Sequence, residues 1–287
     1  FDLDYLNKIT KGGLPNKTLN IALAGTGVGK SLFMCHVASS CLLQGRNVLY
    51  ITCEMAEEKI AERIDANLLD IPIQQLQDPL LTKQKYRAKI DVLKKKTQGK
   101  LVIKEYPTAS AHVGHFKALL NELSLKKGFH PEIIFVDYLN ICASSRYKGT
   151  IVNSYTYVKA IAEELRGLAG EYNVPILSAT QTTRSGYGNS NVEITDTSES
   201  FGLPATADLM FALISTEDME ELNQIMVKQL KNRYNDPTVY KRFVLGIDRQ
   251  KMRLYDCEQG AQDNIIDAGD TPQTFTDTKK SFDGFKI

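Results

Sequence analysis

Gly25-Thr26-Gly27-Val28-Gly29-Lys30-Ser31 is the stretch whose residue types and order point most directly to chemistry. Glycines let successive backbone N–H groups curl toward one point, where they can meet the oxygens of a phosphate. The stretch follows an apolar run, Leu19-Asn20-Ile21-Ala22-Leu23-Ala24, and opens a helical pattern over 31–43. A helix N-terminus behind such a loop adds a favourable field for anions. Lys30 can then reach β- and γ-phosphates, and the Ser31 hydroxyl can hold Mg²⁺. The general pattern G-x-x-x-x-G-K-[ST] has a glycine where this chain has Ala24. A methyl there is tolerable if its φ stays negative.

An acid at the end of a neighbouring strand would complete a metal site. Asp137 closes the apolar run Ile133-Ile134-Phe135-Val136, at the sheet edge where ligands bind in open α/β sheets. There it can hold the Mg²⁺ shell through water. Alone it is an ordinary strand-end residue; beside the phosphate loop it becomes a metal-site candidate. Phosphate cleavage also needs a group that orients or deprotonates water. Tyr138, not an acid, follows Asp137, so the base comes from elsewhere. Glu54 follows the second strand, on the same sheet edge, beside the phosphate-loop strand or close to it. Taken by itself, Glu54 reads better as a helix-start acid favoured by the dipole.

Gln181 follows another strand, where an amide can sense a γ-phosphate; a polar residue starting a loop is an equal reading. Lys231-Asn232-Arg233 lies beyond a late strand. A neighbouring copy's phosphate loop can use such a pair in trans, whereas spacing alone favours a solvated basic turn. His112 and His115 could share a helix face, but no third metal ligand accompanies them, and surface histidines are the expectation.

The elements that must position these residues alternate. Strands are expected at 19–24, 47–52, 101–103, 133–137 and 175–179. Helical stripes run through Ile60, Ile64 and Leu68; Tyr86, Ile90 and Leu93; Phe116, Leu119, Leu120 and Leu123; and Val158, Ile161, Leu165 and Leu168. Strands apolar on both faces, alternating with helices, imply a mainly parallel sheet covered on both sides, an α/β fold. Four further strands, 210–214, 225–230, 242–247 and 252–255, form an extension that is antiparallel in part. Residues 1–16 read as a linker or lead-in turn, 17–256 as the body, and 257–287 as a polar, loose tail.

The 287 residues are 43% hydrophobic and 24% charged, ordinary globular proportions with material for a large core. A net charge of +1 announces no bulk basic surface, so contact with a polyanion must be local. No apolar run approaches the roughly 20 residues that cross a bilayer. No signal peptide is legible, and a start at Phe1 without Met reads as a piece of a longer protein. Five cysteines without a C-x-x-C pair suit reduced, buried thiols.

Several segments act together as a signature. They are Ile9-Thr10-Lys11-Gly12-Gly13, Glu54-Met55-Ala56-Glu57-Glu58 with Arg63-Ile64-Asp65-Ala66-Asn67, and Val136-Asp137-Tyr138-Leu139. Asn153-Ser154-Tyr155 runs into Val158-Lys159-Ala160-Ile161-Ala162-Glu163-Glu164-Leu165-Arg166, and Gly202-Leu203-Pro204-Ala205-Thr206-Ala207-Asp208 and Lys231-Asn232-Arg233 complete the set. With the phosphate loop they resemble the motor domain of DnaB-type hexameric replicative helicases, above all the branch carried by T4-like phages. The likeness runs from about Asp4 to about Tyr255.

The resemblance implies a RecA-like P-loop fold, a homo-hexameric ring or, for a truncated chain, a filament, and ATP with Mg²⁺ at subunit interfaces. It implies 5′→3′ translocation on single-stranded DNA, strand separation at a fork, and a cytoplasmic place in an infected bacterial host. Carried over by position, Gly25, Thr26, Gly27, Val28, Gly29, Lys30 and Ser31 hold the nucleotide, and Ser31 and Asp137 the metal. Glu54 is the catalytic base, Gln181 the γ-phosphate sensor, Arg233 the trans arginine finger with Lys231 beside it, and Arg63 an auxiliary active-site arginine. DNA contact falls to loops 144–154 and 183–203, with Arg146, Lys148 and Arg184. The first loop carries no acid; the second also holds Glu193, Asp196 and Glu199, so its polar groups would have to bind phosphate. Primase and helicase loader would meet an N-terminal domain outside this chain. A RecA-type recombinase and a nucleotide-regulated assembly ring are the competing readings. The residues after Asp137 and the Lys231-Asn232-Arg233 element favour the helicase over the first, and the pairing of Glu54 with Arg233 speaks against the second.

Overall fold

The computed structural model describes residues 1–76, 83–147, 152–182 and 202–263. Six strands run parallel at its centre: β1 (Leu19–Ala24), β2 (Val48–Thr52), β3 (Leu101–Glu105), β4 (Ile133–Asp137), β5 (Ile176–Gln181) and β6 (Leu209–Ile214). Three antiparallel strands, β7 (Gln224–Asn232), β8 (Arg242–Asp248) and β9 (Arg253–Asp256), extend one side. Among the described residues they form one sheet, in the order β3-β2-β4-β5-β1-β6-β7-β8-β9.

Side chains alternate across a strand, and here both faces are apolar. Leu19, Ile21 and Leu23 of β1, Leu49 and Ile51 of β2, and Ile134 and Val136 of β4 enter one core. Ala22, Ala24, Val48, Tyr50, Ile133 and Phe135 enter the other. Double burial accounts for the continuous apolar runs in the sequence. Helices α6 (Val113–Lys127) and α7 (Ser154–Tyr172) cover the first face. The second is covered by α2 (Lys30–Leu43) and α3 (Glu57–Leu69), with α4 (Ile73–Leu76) and α5 (Lys83–Lys96) following in the chain. α2 is buried on nearly every side, as expected of a helix without a polar face.

The lead-in segment differs from the expected linker. Asp4–Thr10 forms helix α1, and Leu3, Leu6 and Ile9 are fully enclosed in the second core. Their three-residue spacing is the helical signal that the polar residues between them obscured. The histidine pair also has a structural job: His112 Nδ1 accepts the Gly114 N–H at 2.9 Å, and His115 Nδ1 accepts the His112 N–H at 3.2 Å, capping α6. Short helices α8 (Gly202–Thr206), α9 (Glu217–Glu221) and α10 (Gln259–Asp263) complete the described chain; beyond α10 the expected tail lies outside the described residues.

Candidate active site

The phosphate loop turns between β1 and α2 as its glycines require. Gly27 and Gly29 have φ of 80° and 126°, where L side chains are strained. Ala24 is not among the positive-φ residues; it ends β1 within the core, and its carbonyl accepts the Thr182 N–H at 3.2 Å. The missing first glycine therefore costs nothing, because the chain turns only after position 24. Gly29 precedes α2 with no side chain capping the helix. The first N–H groups of α2 stay available to an anion.

The loop opens on a cleft of about 330 Å³ lined by Gly25, Thr26, Gly27, Gly29, Lys30 and Ser31 and by residues from other elements. Val28 turns away and packs against the second core. Two catalytic candidates, Glu54 and Gln181, line the same cleft, as does the auxiliary arginine Arg63. Gln181 arrives there because it pairs with Ala24 across the β1–β5 register. Glu54 follows β2, which is separated from β1 by β4 and β5, so it is near the phosphate-loop strand and not beside it.

Lys30 is the centre of the charge arrangement. Its Nζ donates to Glu54 Oε2 at 3.0 Å, lies 3.5 Å from Asp137 Oδ1, and stands 3.4 Å over the Tyr138 ring. Two carboxylates and an aromatic face thus hold one ammonium, with a cation–π contribution from the ring. Burial, then the negative charges of Glu54 and Asp137, push the Tyr138 hydroxyl pKa up. Asp137 is fully buried, and its Oδ2 accepts the Tyr50 hydroxyl at 3.1 Å. Burial and the adjacent carboxylate hold that hydroxyl protonated far above its ordinary range. Asp137 Oδ1 makes no hydrogen bond. A buried carboxylate oxygen without a hydrogen bond, 3.5 Å from the phosphate-loop lysine, fits the hydration shell of a divalent cation.

Three contributors were not singled out from the sequence. Tyr50 looks like one more core aromatic in an apolar strand. Arg249 and Met252 reach the cleft from the β8–β9 turn, which Asp248 shapes by accepting the Gln250 and Lys251 N–H groups, each at 3.0 Å. Arg249 Nη1 would lie 4.0 Å from a Cβ placed on Gly29. A basic residue in a polar turn gives no sign that the turn folds over a distant loop.

Lys231 and Arg233 are elsewhere. β7 runs antiparallel to β6, so Asn232 pairs with Leu209, which pairs with Asn20 at the start of β1. The two cations therefore sit at the amino edge of the parallel strands, and neither lines the cleft. At about 3.3 Å per residue, β1 alone separates the edges by roughly 15 Å. Arg233 Nη1 donates to Asp208 Oδ1 at 2.9 Å, and Lys231 Nζ donates to the carbonyls of Pro204 and Ala205.

Of the expected DNA contacts, Lys148 and Arg184 lie outside the described residues. Arg146 is described; its loop holds no acid, as the sequence shows, but acids of the following helix reach it. Its guanidinium pairs with Glu163, and Glu164 accepts the Ser144 hydroxyl and the Ser145 and Arg146 N–H groups. Helix α7 supplies the acids that the loop itself lacks.

Comparison with known proteins accords with this geometry. Residues 2–242 match the family model described as the DnaB-like helicase C terminal domain. The chain is 46% identical over 260 residues to the DnaB-like replicative helicase of Enterobacteria phage T4, covering 90% of this chain and 55% of that protein. It is 25% identical over 214 residues to the replicative DNA helicase DnaB of Helicobacter pylori, covering 73% and 41%. The chain thus spans about half the length of the curated relatives it matches. Among solved structures, one described as an ATPase domain superposes with a TM-score of 0.74 at 17% identity, covering 90% of both chains. A DnaB-like replicative helicase, studied with its primase interactions, superposes with 0.72 at 16% identity, covering 90% and 61%. These superpositions show the RecA-like fold. Since the family match takes in the phosphate loop, Glu54, Asp137 and the cations of the far edge, the chain belongs to the DnaB-like helicase C-terminal domain family.

Proposed function

We propose that this chain is the ATP-hydrolysing motor of a replicative DNA helicase, with each nucleotide held between two copies of the chain. The observation that supports the reading is the placement of two sets of candidate residues at opposite edges of the sheet. Phosphate loop, Glu54, Asp137 and Gln181 gather at one edge of the sheet, while Lys231 and Arg233 are presented at the other. A head-to-tail assembly brings the second set onto the first set of the next copy, as a closed ring of six or, where closure fails, as a filament.

Within the cleft, the loop N–H groups and Lys30 bind the triphosphate. When Lys30 turns to the phosphates, Glu54 Oε2 loses its present donor and becomes an acceptor for water. Gln181, paired in register with Ala24 just before the loop, reads the terminal phosphate. Ser31 and Asp137 hold Mg²⁺, which neutralises charge on the phosphate oxygens when bound. Arg63 adds a cation in cis. Arg233, with Lys231, stabilises charge developing on the neighbour's terminal phosphate.

Single-stranded DNA passes through the centre of the ring, met by loops 144–154 and 183–203, with Arg146, Lys148 and Arg184 as phosphate contacts. For Arg146, phosphate must displace Glu163. Translocation runs 5′→3′ and excludes one strand of the fork. Primase and loader bind through a domain outside this chain, in the cytoplasm of an infected host.

ATPase measured with and without single-stranded DNA, followed by strand separation on a forked duplex, tests this reading. A DNA-stimulated ATPase that opens the fork supports it. Hydrolysis without unwinding identifies a recombinase, and absence of both identifies a regulatory ring.

A further inference from the structure

The cations of the far edge share one buried carboxylate. Asp208 lies between α8 and β6, with its side chain 6% exposed. Its Oδ2 accepts the Leu19 N–H at 3.1 Å and Arg166 Nε at 3.0 Å. Its Oδ1 accepts Arg166 Nη2 at 2.8 Å and Arg233 Nη1 at 2.9 Å. The backbone joins in: Asp208 N–H donates to the Leu19 carbonyl at 2.8 Å, and Arg233 N–H donates to the Asp208 carbonyl at 3.0 Å.

The two arginines bind differently. Arg166 lays its fork across both carboxylate oxygens, the geometry that is strong and directional. Arg233 touches one oxygen end-on and gives Nη2 to the Ala205 carbonyl at 3.4 Å, a long contact. A guanidinium has five N–H donors, so most of those on Arg233 are left for another acceptor, and its side chain is 45% exposed. A free arginine side chain carries about 2 kcal/mol of rotamer entropy. A fixed carboxylate that holds the guanidinium loosely removes much of that freedom before a phosphate arrives. Lys231 adds like charge: burial, then Arg233, pushes its pKa down. One carboxylate in contact with two guanidiniums, beside a third cation, suits a surface that receives an anion.

We propose that Asp208 is the positioning residue for Arg233, and that the fork of Arg166 holds Asp208 in place while Arg233 exchanges its oxygen for the neighbouring copy's terminal phosphate. This rests on the trans reading of Arg233.

Mixed assemblies of the whole protein that carries this chain test it. A Lys30→Ala chain, with a disabled cleft but an intact Arg233, is mixed with an Arg233→Ala chain, whose cleft is intact. Restored ATPase shows that Arg233 works in trans. The first partner is then replaced by Lys30→Ala/Asp208→Asn. We expect the restored kcat to fall about 100-fold, the scale of misplacing a catalytic group by an ångström, with KM for ATP unchanged. If the first mixture restores nothing, the trans reading and the proposal fall together. If both mixtures restore activity equally, Asp208 has no positioning role while the trans reading stands.

Folding is checked on Asp208→Asn alone, whose own cleft should bind a fluorescent ATP analogue as the unaltered protein does. Should that variant not fold, Arg166→Lys replaces it, keeping the charge and losing the fork. A lowered kcat at constant KM supports the proposal, and an unaltered kcat overturns it.

Discussion

Lys30 and Arg233 stand at opposite ends of the same strands. Lys30 opens the helix that follows the carboxyl end of β1, whereas Arg233 follows β7 where that strand meets, through Leu209, the amino end of β1. No side-chain rotation closes a gap of roughly 15 Å, the length of the strand between them. With Arg233 acting in trans, as proposed, a complete reaction site exists only where two copies meet, and the contact is heterologous.

The two residues should fail differently when removed. Lys30→Ala loses the ammonium that meets the phosphates, so nucleotide affinity and turnover both collapse. Arg233→Ala keeps the affinity and loses about a thousandfold or more in turnover, the scale of a trans arginine. Titration with a fluorescent nucleotide beside phosphate-release kinetics separates the two, and equal loss of affinity would contradict the assignment.

Tyr50 should matter through Asp137. Tyr50→Phe removes only the hydroxyl that donates to the buried Oδ2. Losing a hydrogen bond to a charged, buried acceptor costs about 1.5–3 kcal/mol, measurable by urea unfolding without Mg²⁺. The freed carboxylate should also need more Mg²⁺ for nucleotide binding. Unchanged stability and an unchanged Mg²⁺ titration would show the bond to be dispensable.

Gly29→Ala should cost more than the volume of a methyl. At φ 126° the new residue is strained, at about 1–3 kcal/mol, and its Cβ would stand 3.6 Å from Ile247 and 3.9 Å from Ile225. Space is adequate, so the penalty comes from the backbone. Relaxation of the loop turns its N–H groups off the phosphates. The expected result is a folded protein with a lower Tm and weakened nucleotide binding.

Much of the fold was legible because burial on both faces writes itself into a strand as an unbroken apolar run. β4 and β6 show it, β1 does so apart from Asn20, and the acid that ends β4 marked the candidate metal site. Which strands are neighbours was not legible: β4 and β5 separate β1 from β2, an order set by helix crossovers that leave no local trace. For the same reason Glu54 could be placed on the right edge but not at its distance from Lys30. Helix α1 was hidden because its apolar residues are few and widely spaced. Tyr50 and Arg249 were hidden because their partners are far along the chain. The acids facing Arg146 belong to the helix after the loop, and a reading confined to the loop missed them.

Acid titration should single out Asp208. Burial raises its pKa, but the bonds from Arg166, the Leu19 N–H and Arg233 outweigh burial and leave it below the ordinary value. A depressed carboxylate contributes stability above its unfolded pKa of about 3.9, and loses it as pH falls through the folded value. The Tm difference between the unaltered protein and Asp208→Asn should thus be full at pH 7 and shrink as pH falls below about 4. A difference constant down to pH 3 would contradict the charged role of the carboxylate.

The most direct measurement is the structure of the assembled protein with Mg²⁺ and an ATP transition-state analogue. The expected result has Arg233 of one copy within hydrogen-bond distance of the analogue's terminal group in the next, while Glu54 and Asp137 of the binding copy flank that group and the metal. If the guanidinium stays on its own Asp208 and faces away from the neighbouring phosphate at every interface, the shared site does not exist.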